Sequence, residues 1–426
     1  MHPAEQLVLI ISRIYRNGMT TTSGGNLSIM DENGDMWITP AGIDKGTLRP
    51  SDIMCVKADG TIKGPHRPSS EYPFHKAMYR MRPEMHSVIH AHPPGLVTFS
   101  IVHKIPDTSV IPQARDICGP IGFAAYDVPG SEGLGEKIAA EFEKNPEYKA
   151  VIMENHGVVL CGKDIGEAYR RFETLELCAR VILNASTIGN PVYLSAEQLK
   201  IHENNTAVTF PEFNDARHTS AERSLRTEIC KLMRRACNQG LMNSAFGTVS
   251  ARLEGNDFLI TPADVQRWDI DAEDIIQVRD GKVEAGKTPD KSFALHQEIY
   301  RLNPGVNAIV TAQSAALMGF CASDAVFDVR TIPESWIFLQ DVPKFPFGSQ
   351  YTHPDKVAGT FRSKPCAMLA NDYIVAASDS LVNAFDRIEV ADFAARSLIL
   401  AKPIGTLNPI TDAQIEDLRI AFHVGE

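Results

Sequence analysis

The chain has 426 residues, of which 44% are hydrophobic and 22% charged, and its formal net charge is −11. This composition is typical of a globular protein of two or three domains, and the acidic balance disfavours nucleic acid as a partner because phosphate backbones need clustered Lys and Arg. The start lacks the features of a secretory leader, and no apolar run approaches the roughly 20 residues of a membrane helix, so we expect a cytoplasmic protein without a membrane partner.

The order of predicted elements indicates the fold class. An amphipathic helix comes first, because Leu7, Ile10, Ile11 and Ile14 fall on one helical face. The later predicted elements are strands over 27–30 and 36–39, a helix over 70–82, a strand over 87–90, a helix that Ser131 caps and that runs through Phe142, strands over 150–153 and 158–160, and a helix over 165–183. Because tight turns join several strands, we expect an α/β fold whose central sheet is mainly antiparallel, with helices on both faces.

Three histidines in the first half form a candidate metal site. His90 ends the strand predicted over 87–90 and His92 follows it, and residues two apart on a strand point to the same face. His156 lies in a tight Asn-His-Gly turn before the strand over 158–160. A lone His-x-His is more often two surface imidazoles, but three histidines with an open position are typical of a catalytic zinc site, at Zn–N distances of about 2.0–2.1 Å.

A Ser-Ser-Glu segment opens the helix predicted over 70–82. Ser69 or Ser70 suits the N-cap, which leaves backbone N–H groups free to hold an anion. Glu71 in the first turn matches the positive end of the helix dipole. The simpler interpretation is a cap with a matched carboxylate. The functional interpretation is two serines for a phosphate or carboxylate and a glutamate that acts as ligand or general base.

The chain contains an internal duplication. Ile38-Thr-Pro-Ala41 recurs unchanged as Ile260-Thr-Pro-Ala263, and the segment 75–80 recurs as 296–301 with its His, Tyr and Arg. Further matches keep the same order at an offset near 222 over the first three hundred residues, which marks a repeated domain. We therefore predict a catalytic domain over 1–190, a linker over 191–219 and a second domain over 220–426.

The motifs of the first repeat resemble the class II aldolase/adducin family, which includes the fuculose-phosphate aldolases. The matching segments, in order, are Gly25-Asn26-Leu-Ser28, Thr39-Pro-Ala-Gly42, Ser69-Ser70-Glu71, His90-Ala-His92-Pro93 and Asn155-His156-Gly157. The resemblance covers residues 1 to about 190 and is fainter, though collinear, over 220–400. It implies two tandem class II aldolase-like domains and a homo-oligomer with active sites at subunit interfaces.

The resemblance also implies residue roles. Glu71 matches the catalytic acid/base of the family, which can also coordinate the metal. The implied ligands of Zn²⁺, or of another divalent ion such as Mn²⁺ or Co²⁺, are His90, His92 and His156. The implied phosphate-binding residues are Asn26, Gly42, Ser69 and Ser70. The expected activity is a carbon–carbon lyase that cleaves a small sugar phosphate or sugar acid through a metal-stabilised enediolate.

One departure from the family pattern leaves other reactions open. The sugar-phosphate aldolases place a tyrosine between the His pair and the third His, and the matching segment 110–116 has none. Gln113, Arg115 or Asp116 could take part of that role. An epimerase, a decarboxylase or a dehydratase on the same metal site therefore stays open, as does an adducin-like binding protein without catalysis.

The second repeat has lost the predicted site. Thr311 and Gln313 stand in place of His90 and His92, and the other replacements are Asp372 for His156, Ser292 for Glu71, Asp290-Lys291 for Ser69-Ser70, Thr248 for Asn26 and Asp264 for Gly42. By contrast, His75 is matched by His296, so we interpret it as structural. We predict one catalytic and one non-catalytic domain per chain, and a dimer that forms a four-domain pseudo-tetramer with two metal ions.

Overall fold

The structure is a computed structural model that describes residues 1–206, 210–214, 218–263 and 265–424. The chain divides into two compact units, unit 1 with Met1–Thr108 and Gln113–Arg180, and unit 2 with Ser109–Pro112 and Val181–Glu426. In the described part of the chain, every helix is too short or too polar to cross a membrane. Asp264, which the sequence aligns with Gly42, lies outside the described residues, as do parts of the predicted linker.

Unit 1 alternates helices with short strands. Its elements in chain order are α1 (Pro3–Arg16), β1 (Asn26–Met30), β2 (Met36–Ile38), a 3₁₀ helix (Pro50–Asp52), β3 (Met54–Val56), β4 (Ile62–Lys63), α2 (Tyr72–Met81), β5 (Ser87–Ala91), α3 (Pro94–Ile101), a second 3₁₀ helix (Thr108–Val110), α4 (Pro112–Cys118), β6 (Ile121–Ala124), α5 (Glu132–Lys144), β7 (Ala150–Met153), β8 (Gly157–Gly162) and α6 (Ile165–Ile188). The division between the two units falls within α6. As predicted, α1 buries Leu7, Ile10, Ile11 and Ile14.

The strands of unit 1 form one eight-stranded sheet in the order β4-β3-β2-β1-β5-β8-β7-β6. Neighbouring strands are antiparallel except β6 and β7, which pair in parallel. In the register of β1 and β5, Asn26 lies opposite His90. The pairing therefore places two predicted site residues side by side, and the mainly antiparallel α/β fold expected from the sequence is confirmed.

Helices cover both faces of this sheet. Phe74 and Met78 of α2 and Leu134 of α5 share one buried core with Val88 and Val159 of the sheet. Alternate residues of the same strands point to the opposite face, against which α1 and α3 pack. Since His90 is two residues from Val88, its ring lies on the face that α2 covers, at the end of the buried core.

Helix α2 begins later than the sequence predicted. Glu71, not Ser69 or Ser70, is the N-cap residue, and its side chain makes no cap hydrogen bond. Ser69 Oγ instead accepts a hydrogen bond from the N–H of Glu71 at 3.3 Å. The carbonyl oxygen of Ser69 accepts a second hydrogen bond, from the N–H of Tyr72, and the two bonds form a turn before the helix. The predicted cap is therefore wrong. Pro73 sets the start of the helix, because its fixed φ suits the first helical turn.

Unit 2 is built from a second set of helices and strands. Beyond α6 its elements are α7 (Ala196–Thr206), β9 (Glu212–Phe213), α8 (Ser220–Asn238), β10 (Thr248–Arg252), β11 (Phe258–Ile260), β12 (Ile276–Arg279), β13 (Lys282–Glu284), α9 (Phe293–Leu302), β14 (Ala308–Ala312), α10 (Ala315–Cys321), α11 (Pro333–Leu339), β15 (Lys344–Phe345), α12 (Ser349–Thr352), α13 (Pro354–Thr360), β16 (Cys366–Leu369), β17 (Tyr373–Ser378), α14 (Leu381–Ala401) and α15 (Asp412–Phe422).

The sheet of unit 2 repeats the central strand order of unit 1. Its described strands follow the order β15-β16-β17-β14-β10-β11-β12-β13-β9. Thr248 on β10 lies opposite Thr311 on β14, the register that Asn26 and His90 have in unit 1. Residue-by-residue comparison of the two repeats therefore holds in the folded chain as it does in the sequence.

Candidate metal centre

Three imidazoles converge in unit 1. His90 lies on β5, His92 follows the end of that strand, and His156 lies in the turn between β7 and β8. One ring nitrogen from each histidine lies within 4.8 Å of the other two. The ring centroid of His90 lies 4.7 Å from that of His92 and 4.9 Å from that of His156. Among the residues that the structure describes, this is the one such cluster of potential metal-binding side chains.

The Asn-His-Gly turn is shaped to approach His92 closely. Asn155 has a left-handed φ of 53°, which asparagine tolerates better than most residues. A Cβ atom on Gly157 would lie 2.6 Å from the carbonyl oxygen of Ala91 and 2.8 Å from Cδ2 of His92. Glycine at this position therefore allows the turn to bring His156 up to the strand that carries the other two histidines.

Unpartnered buried atoms indicate that the cluster fits a cation. His90 Nδ1 donates to the carbonyl oxygen of Val158 at 3.0 Å, which leaves Nε2 as the unprotonated nitrogen, an arrangement common among metal-binding histidines. That Nε2 atom is buried without a hydrogen-bond partner, and so are His92 Nε2, His156 Nδ1 and Glu71 Oε1. Buried polar atoms are normally hydrogen-bonded, so a bound metal ion would satisfy this donor set.

Burial keeps the three rings neutral. It lowers the pKa of His90 to about 3, with the neighbouring His92 adding to the effect. Burial and then the charge of His90 lower the pKa of His156 to about 4. Burial also lowers the pKa of His92, against the opposing effect of Glu71. Since a histidine must be neutral to bind a metal ion, the site is prepared for coordination across the physiological pH range.

Glu71 lies beside the three imidazoles. Its Oε2 atom is 3.2 Å from His90 Nε2, and its Oε1 atom is 3.8 Å from His156 Nε2. Asn26 Nδ2 donates to Oε2 at 2.6 Å, which holds one carboxylate oxygen in place. The carboxylate is therefore buried, oriented and within reach of both the candidate ligands and any group bound next to them.

A hydrogen-bonded chain behind Glu71 was not found from the sequence. Ser28 Oγ lies 2.7 Å from both Tyr79 OH and His75 Nδ1, and His75 Nε2 bonds Asn26 Oδ1. Because Asn26 Oδ1 can only accept, His75 donates from Nε2, Ser28 donates to Nδ1 and Tyr79 donates to Ser28. Burial, followed by the charge of His90, lowers the pKa of His75 well below its ordinary value, which agrees with this neutral tautomer. This series of hydrogen bonds fixes the Asn26 amide so that its N–H group faces Glu71.

The second repeat keeps only the inner part of this chain. His296 Nδ1 bonds Ser250 Oγ at 2.7 Å, and Ser250 Oγ lies 2.8 Å from Tyr300 OH. His296 Nε2 is buried without a hydrogen-bond partner, because Thr248 stands where Asn26 stands in the first repeat. His75 therefore has a positioning role that its counterpart lacks, in addition to the structural role that the repeat predicted.

We expect replacement of His75 by Phe to lower kcat by about tenfold to a hundredfold with little change in metal content. An aromatic ring is kept, but the Asn26 amide loses the bond that orients it, and small misplacements of catalytic groups cost rates of this order. His296→Phe is the matched control, since it breaks the same His–Ser bond in the second repeat. Equal effects of the two variants on kcat, measured beside KM and bound metal, would contradict the positioning role.

The two turns predicted to bind an anion lie side by side. The N–H of Ala41 donates to Arg67 O at 3.0 Å, and the N–H of Ser69 donates to Thr39 O at 3.2 Å. Gly42 follows with a left-handed φ of 69°. The structure thus brings the Gly42 turn next to Ser69, and the Ser69–Glu71 hydrogen bond links this pair of turns to the candidate metal centre.

The segment that replaces the family tyrosine lies around α4. Arg115 Nη1 donates weakly to Thr108 Oγ1 at 3.5 Å. Tyr126, a tyrosine that lies between His92 and His156 in the sequence but after the segment 110–116, is exposed beyond the end of β6. The suggested roles of Gln113, Arg115 and Asp116 in the reaction therefore stay predictions.

In the second repeat, Thr311, Gln313 and Asp372 stand in place of the three histidines and form a network of hydrogen bonds with other protein groups. Thr311 Oγ1 accepts the N–H of Thr248 at 2.9 Å. Asp372 accepts from Gln350 Nε2 at 2.5 Å and from Tyr351 OH at 3.3 Å, and Gln313 Nε2 donates to Asp372 O. Backbone and side-chain groups of the protein thus bond the side chains that stand at the positions of the candidate metal centre.

Comparison with known proteins decides the family. The family model of the class II aldolase and adducin N-terminal domain matches residues 5–183 and 227–399. The chain belongs to this family. Because the model matches twice, once in each repeat, the tandem duplication expected from the sequence is confirmed. The recognition of the family from its motifs is confirmed as well.

Several curated relatives of this class II aldolase family member have an assigned activity. The chain is 30% identical to 5-deoxy-D-ribulose 1-phosphate aldolase of Bacillus thuringiensis over 200 residues, which are 46% of this chain and 91% of the relative. It is 33% identical to L-fuculose phosphate aldolase of Methanocaldococcus jannaschii over 180 residues, 42% of this chain and 94% of the relative. It is 31% identical to 3-oxo-tetronate 4-phosphate decarboxylase of Escherichia coli over 182 residues, 42% of this chain and 84% of the relative.

Solved structures match about the same share of this chain as the curated relatives do. A structure of L-fuculose 1-phosphate aldolase is 26% identical, and the match covers 48% of this chain and 96% of that chain with a TM-score of 0.43. The curated relatives include both aldolases and a decarboxylase. Membership of the class II aldolase family supports an enzyme, and the cluster of His90, His92 and His156 is a possible metal site.

Proposed function

We propose that the chain is a divalent-metal-dependent aldolase-like lyase that cleaves a small sugar phosphate. The convergence of His90, His92 and His156 beside Glu71 carries this proposal. The aldolases among the relatives, whose names specify sugar phosphates, support the reaction and substrate class. Zn²⁺ is the metal we expect, because three imidazoles with an open position suit its preferred tetrahedral geometry.

The chemistry follows from the site residues. His90, His92 and His156 would hold the divalent cation, which would supply a Lewis acid for negative charge on substrate oxygens. Cleavage of the carbon–carbon bond leaves its electron pair on one fragment as an enediolate, while the substrate hydroxyl loses its proton and becomes the aldehyde carbonyl. Glu71 takes up that hydroxyl proton and returns it to the carbon that carries the electron pair, so the number of protons is unchanged. Oε1 is the oxygen we assign to this transfer, since Asn26 occupies Oε2.

The substrate anion is assigned to the paired turns. Asn26, Gly42, Ser69 and Ser70 are the proposed phosphate-binding residues. The adjacent Gly42 and Ser69 turns and the exposure of Ser70 support this assignment. Backbone N–H groups and hydroxyls in such turns are suitable donors for phosphate oxygens.

An assay with matched ketoses tests the reaction. Metal-loaded protein should release an aldehyde from at least one ketose 1-phosphate of five or six carbons, and not from the same ketose without phosphate. Release of CO₂ from a 3-oxo acid phosphate, or epimerisation without cleavage, would replace the lyase proposal with another reaction on the same site. Absence of any turnover across the panel with bound metal would favour a non-catalytic binding protein.

We expect one tightly bound metal ion per chain and two per dimer. This follows from the proposed organisation, in which residues 1–190 are catalytic, 191–219 link, and 220–426 form a non-catalytic domain. Native mass spectrometry together with elemental analysis gives both the oligomeric state and the metal content. Four metal equivalents per dimer would contradict the loss of the second site.

A further inference from the structure

Lys45 is a buried cation close to the proposed phosphate site. Its side chain is 2% exposed, and Nζ donates to the carbonyl oxygen of Pro40 at 2.9 Å. Within the described part of the chain, the Pro40 carbonyl oxygen is the one hydrogen-bond partner of the Nζ atom. The nearest acidic residue in sequence, Asp44, directs its carboxylate to Gly46 N and Thr47 Oγ1 instead.

A buried ammonium group bonded to a single neutral oxygen costs free energy. Removal from water disfavours the charged form, and burial accordingly lowers the pKa of Lys45, with Asp44 opposing the effect. Proteins normally compensate a buried charge with an opposite charge. An anion that binds next to Lys45 would supply this compensation.

The place of Lys45 in the fold identifies which anion it can meet. Pro40, which accepts the bond from Nζ, forms an isolated bridge with Pro68. Pro68 directly precedes Ser69, and Pro40 is two residues before Gly42. The ammonium group therefore lies at the base of the two turns to which we assign the substrate phosphate.

The second repeat provides an internal comparison. Arg267 stands where Lys45 stands and is fully buried. The backbone N–H of Arg267 donates to Ser244 O at 3.3 Å, as that of Lys45 donates to Thr22 O at 3.0 Å. The two cations therefore enter their turns from the same backbone position. The Arg267 guanidinium donates from Nε to Gly247 O and from Nη1 to Val265 O, and its third nitrogen meets an acidic side chain.

In the second repeat this cation binds a carboxylate of the protein. Arg267 Nη2 donates to Asp290 Oδ2 at 3.0 Å. Asp290 replaces Ser69, and its N–H donates to Thr261 O at 3.1 Å just as that of Ser69 donates to Thr39 O. A negative charge therefore sits on the turn that corresponds to the proposed phosphate site. Burial opposes ionisation of Asp290, but Arg267, the hydrogen bonds from Ser292 and the charge of Lys291 together lower its pKa below the ordinary value.

We propose that Lys45 is the cation that binds the phosphate of the substrate, and that Asp290 occupies the equivalent subsite of the second repeat. The inference rests on the proposed function, since it names the group that recognises the substrate at that site. It assigns Lys45 to substrate specificity, because an unphosphorylated sugar would leave the buried ammonium group without an opposite charge.

Phosphate binding to the full chain tests this proposal independently of turnover. We expect calorimetric titration with inorganic phosphate to give a Kd that is at least tenfold weaker for Lys45→Met and within about threefold of wild type for Lys45→Arg. Treatment with a chelator should preserve the difference. Arg267→Met is the matched control and should leave phosphate affinity unchanged. Unchanged affinity in a folded Lys45→Met variant, or no phosphate binding by the wild-type protein, overturns the proposal.

Steady-state kinetics separate this inference from the proposed reaction. On a phosphorylated substrate, Lys45→Met should raise KM at least tenfold with a smaller effect on kcat. If the protein cleaves no sugar phosphate but loses phosphate binding on this substitution, the lyase proposal fails and the assignment of Lys45 stands. If cleavage occurs and KM does not change, the assignment of Lys45 fails alone.

A double-mutant comparison tests the same contact through thermal stability instead of phosphate binding. Ser69→Asp places a carboxylate in the first repeat where Asp290 lies in the second, so it should bind Lys45 and exclude phosphate. We expect Ser69→Asp to lower Tm less in the Lys45 and Lys45→Arg backgrounds than in the Lys45→Met background. Lysine or arginine can pair with the new carboxylate, as Arg267 pairs with Asp290, and methionine cannot. Equal losses in the Lys45 and Met backgrounds would overturn the proposal.

Discussion

Replacement of Glu71 by Gln is expected to lower kcat by about 10²- to 10⁴-fold, the range typical for loss of a general acid or base. The amide has the shape of the carboxylate and keeps an oxygen that can accept the bond from Asn26 Nδ2. It can no longer exchange a proton with substrate carbon. The three histidines are untouched, so the variant should still bind one metal ion per chain, as elemental analysis would measure.

A control at the corresponding position of the second repeat makes this result specific. Ser292 aligns with Glu71, and we expect Ser292→Ala to leave kcat within about twofold of wild type because the second repeat is proposed to be non-catalytic. A Glu71→Gln protein that binds metal and keeps wild-type kcat would remove Glu71 from the reaction. Loss of metal together with activity would assign Glu71 to the ligands instead.

Replacement of His156 by Ala is expected to lower metal affinity by more than about 100-fold, beyond the 10- to 100-fold typical for loss of a supporting residue. His156 lies in a turn and not in a strand, so its removal disturbs the sheet less than that of the fully buried His90. Lyase activity should fall to background at metal concentrations that saturate the wild-type protein.

Thermal stability reports the same loss without an activity assay. A metal ion at 100 times its Kd stabilises the folded state by about 2.7 kcal/mol, so Tm of wild-type protein should rise on addition of Zn²⁺ to chelator-treated material. The His156→Ala variant should show no such rise at that concentration. His353→Ala, which removes an exposed histidine of the second repeat, is the control and should behave as wild type. Equal rises in both variants would exclude His156 from the ligands.

The sequence by itself determined the features that depend on local pattern. The burial of Leu7, Ile10, Ile11 and Ile14 follows from helical period alone. The His-x-His pair follows from strand alternation, and the duplication follows from comparison of the two halves. The family motifs then predicted which third histidine and which carboxylate belong with that pair, and the structure places all four side chains together.

Only the tertiary structure decided how these side chains are held. The hydrogen-bonded series from Tyr79 through Ser28 and His75 to Asn26 joins residues about 50 positions apart, so no local sequence pattern predicts it. The start of α2 differs from the prediction because Ser69 bonds Glu71 within a turn that is braced by the distant Thr39.

The buried charge of Lys45 illustrates the same division. Its sequence neighbours, Asp44 and Gly46, suggest an exposed turn, and only folding removes its ammonium group from water. The partner of such a charge depends on which segments pack together, because burial and long-range hydrogen bonds are properties of the folded chain and not of its local sequence. Sequence thus determined the chemical groups of the site, and packing determined their orientation and their charge environment.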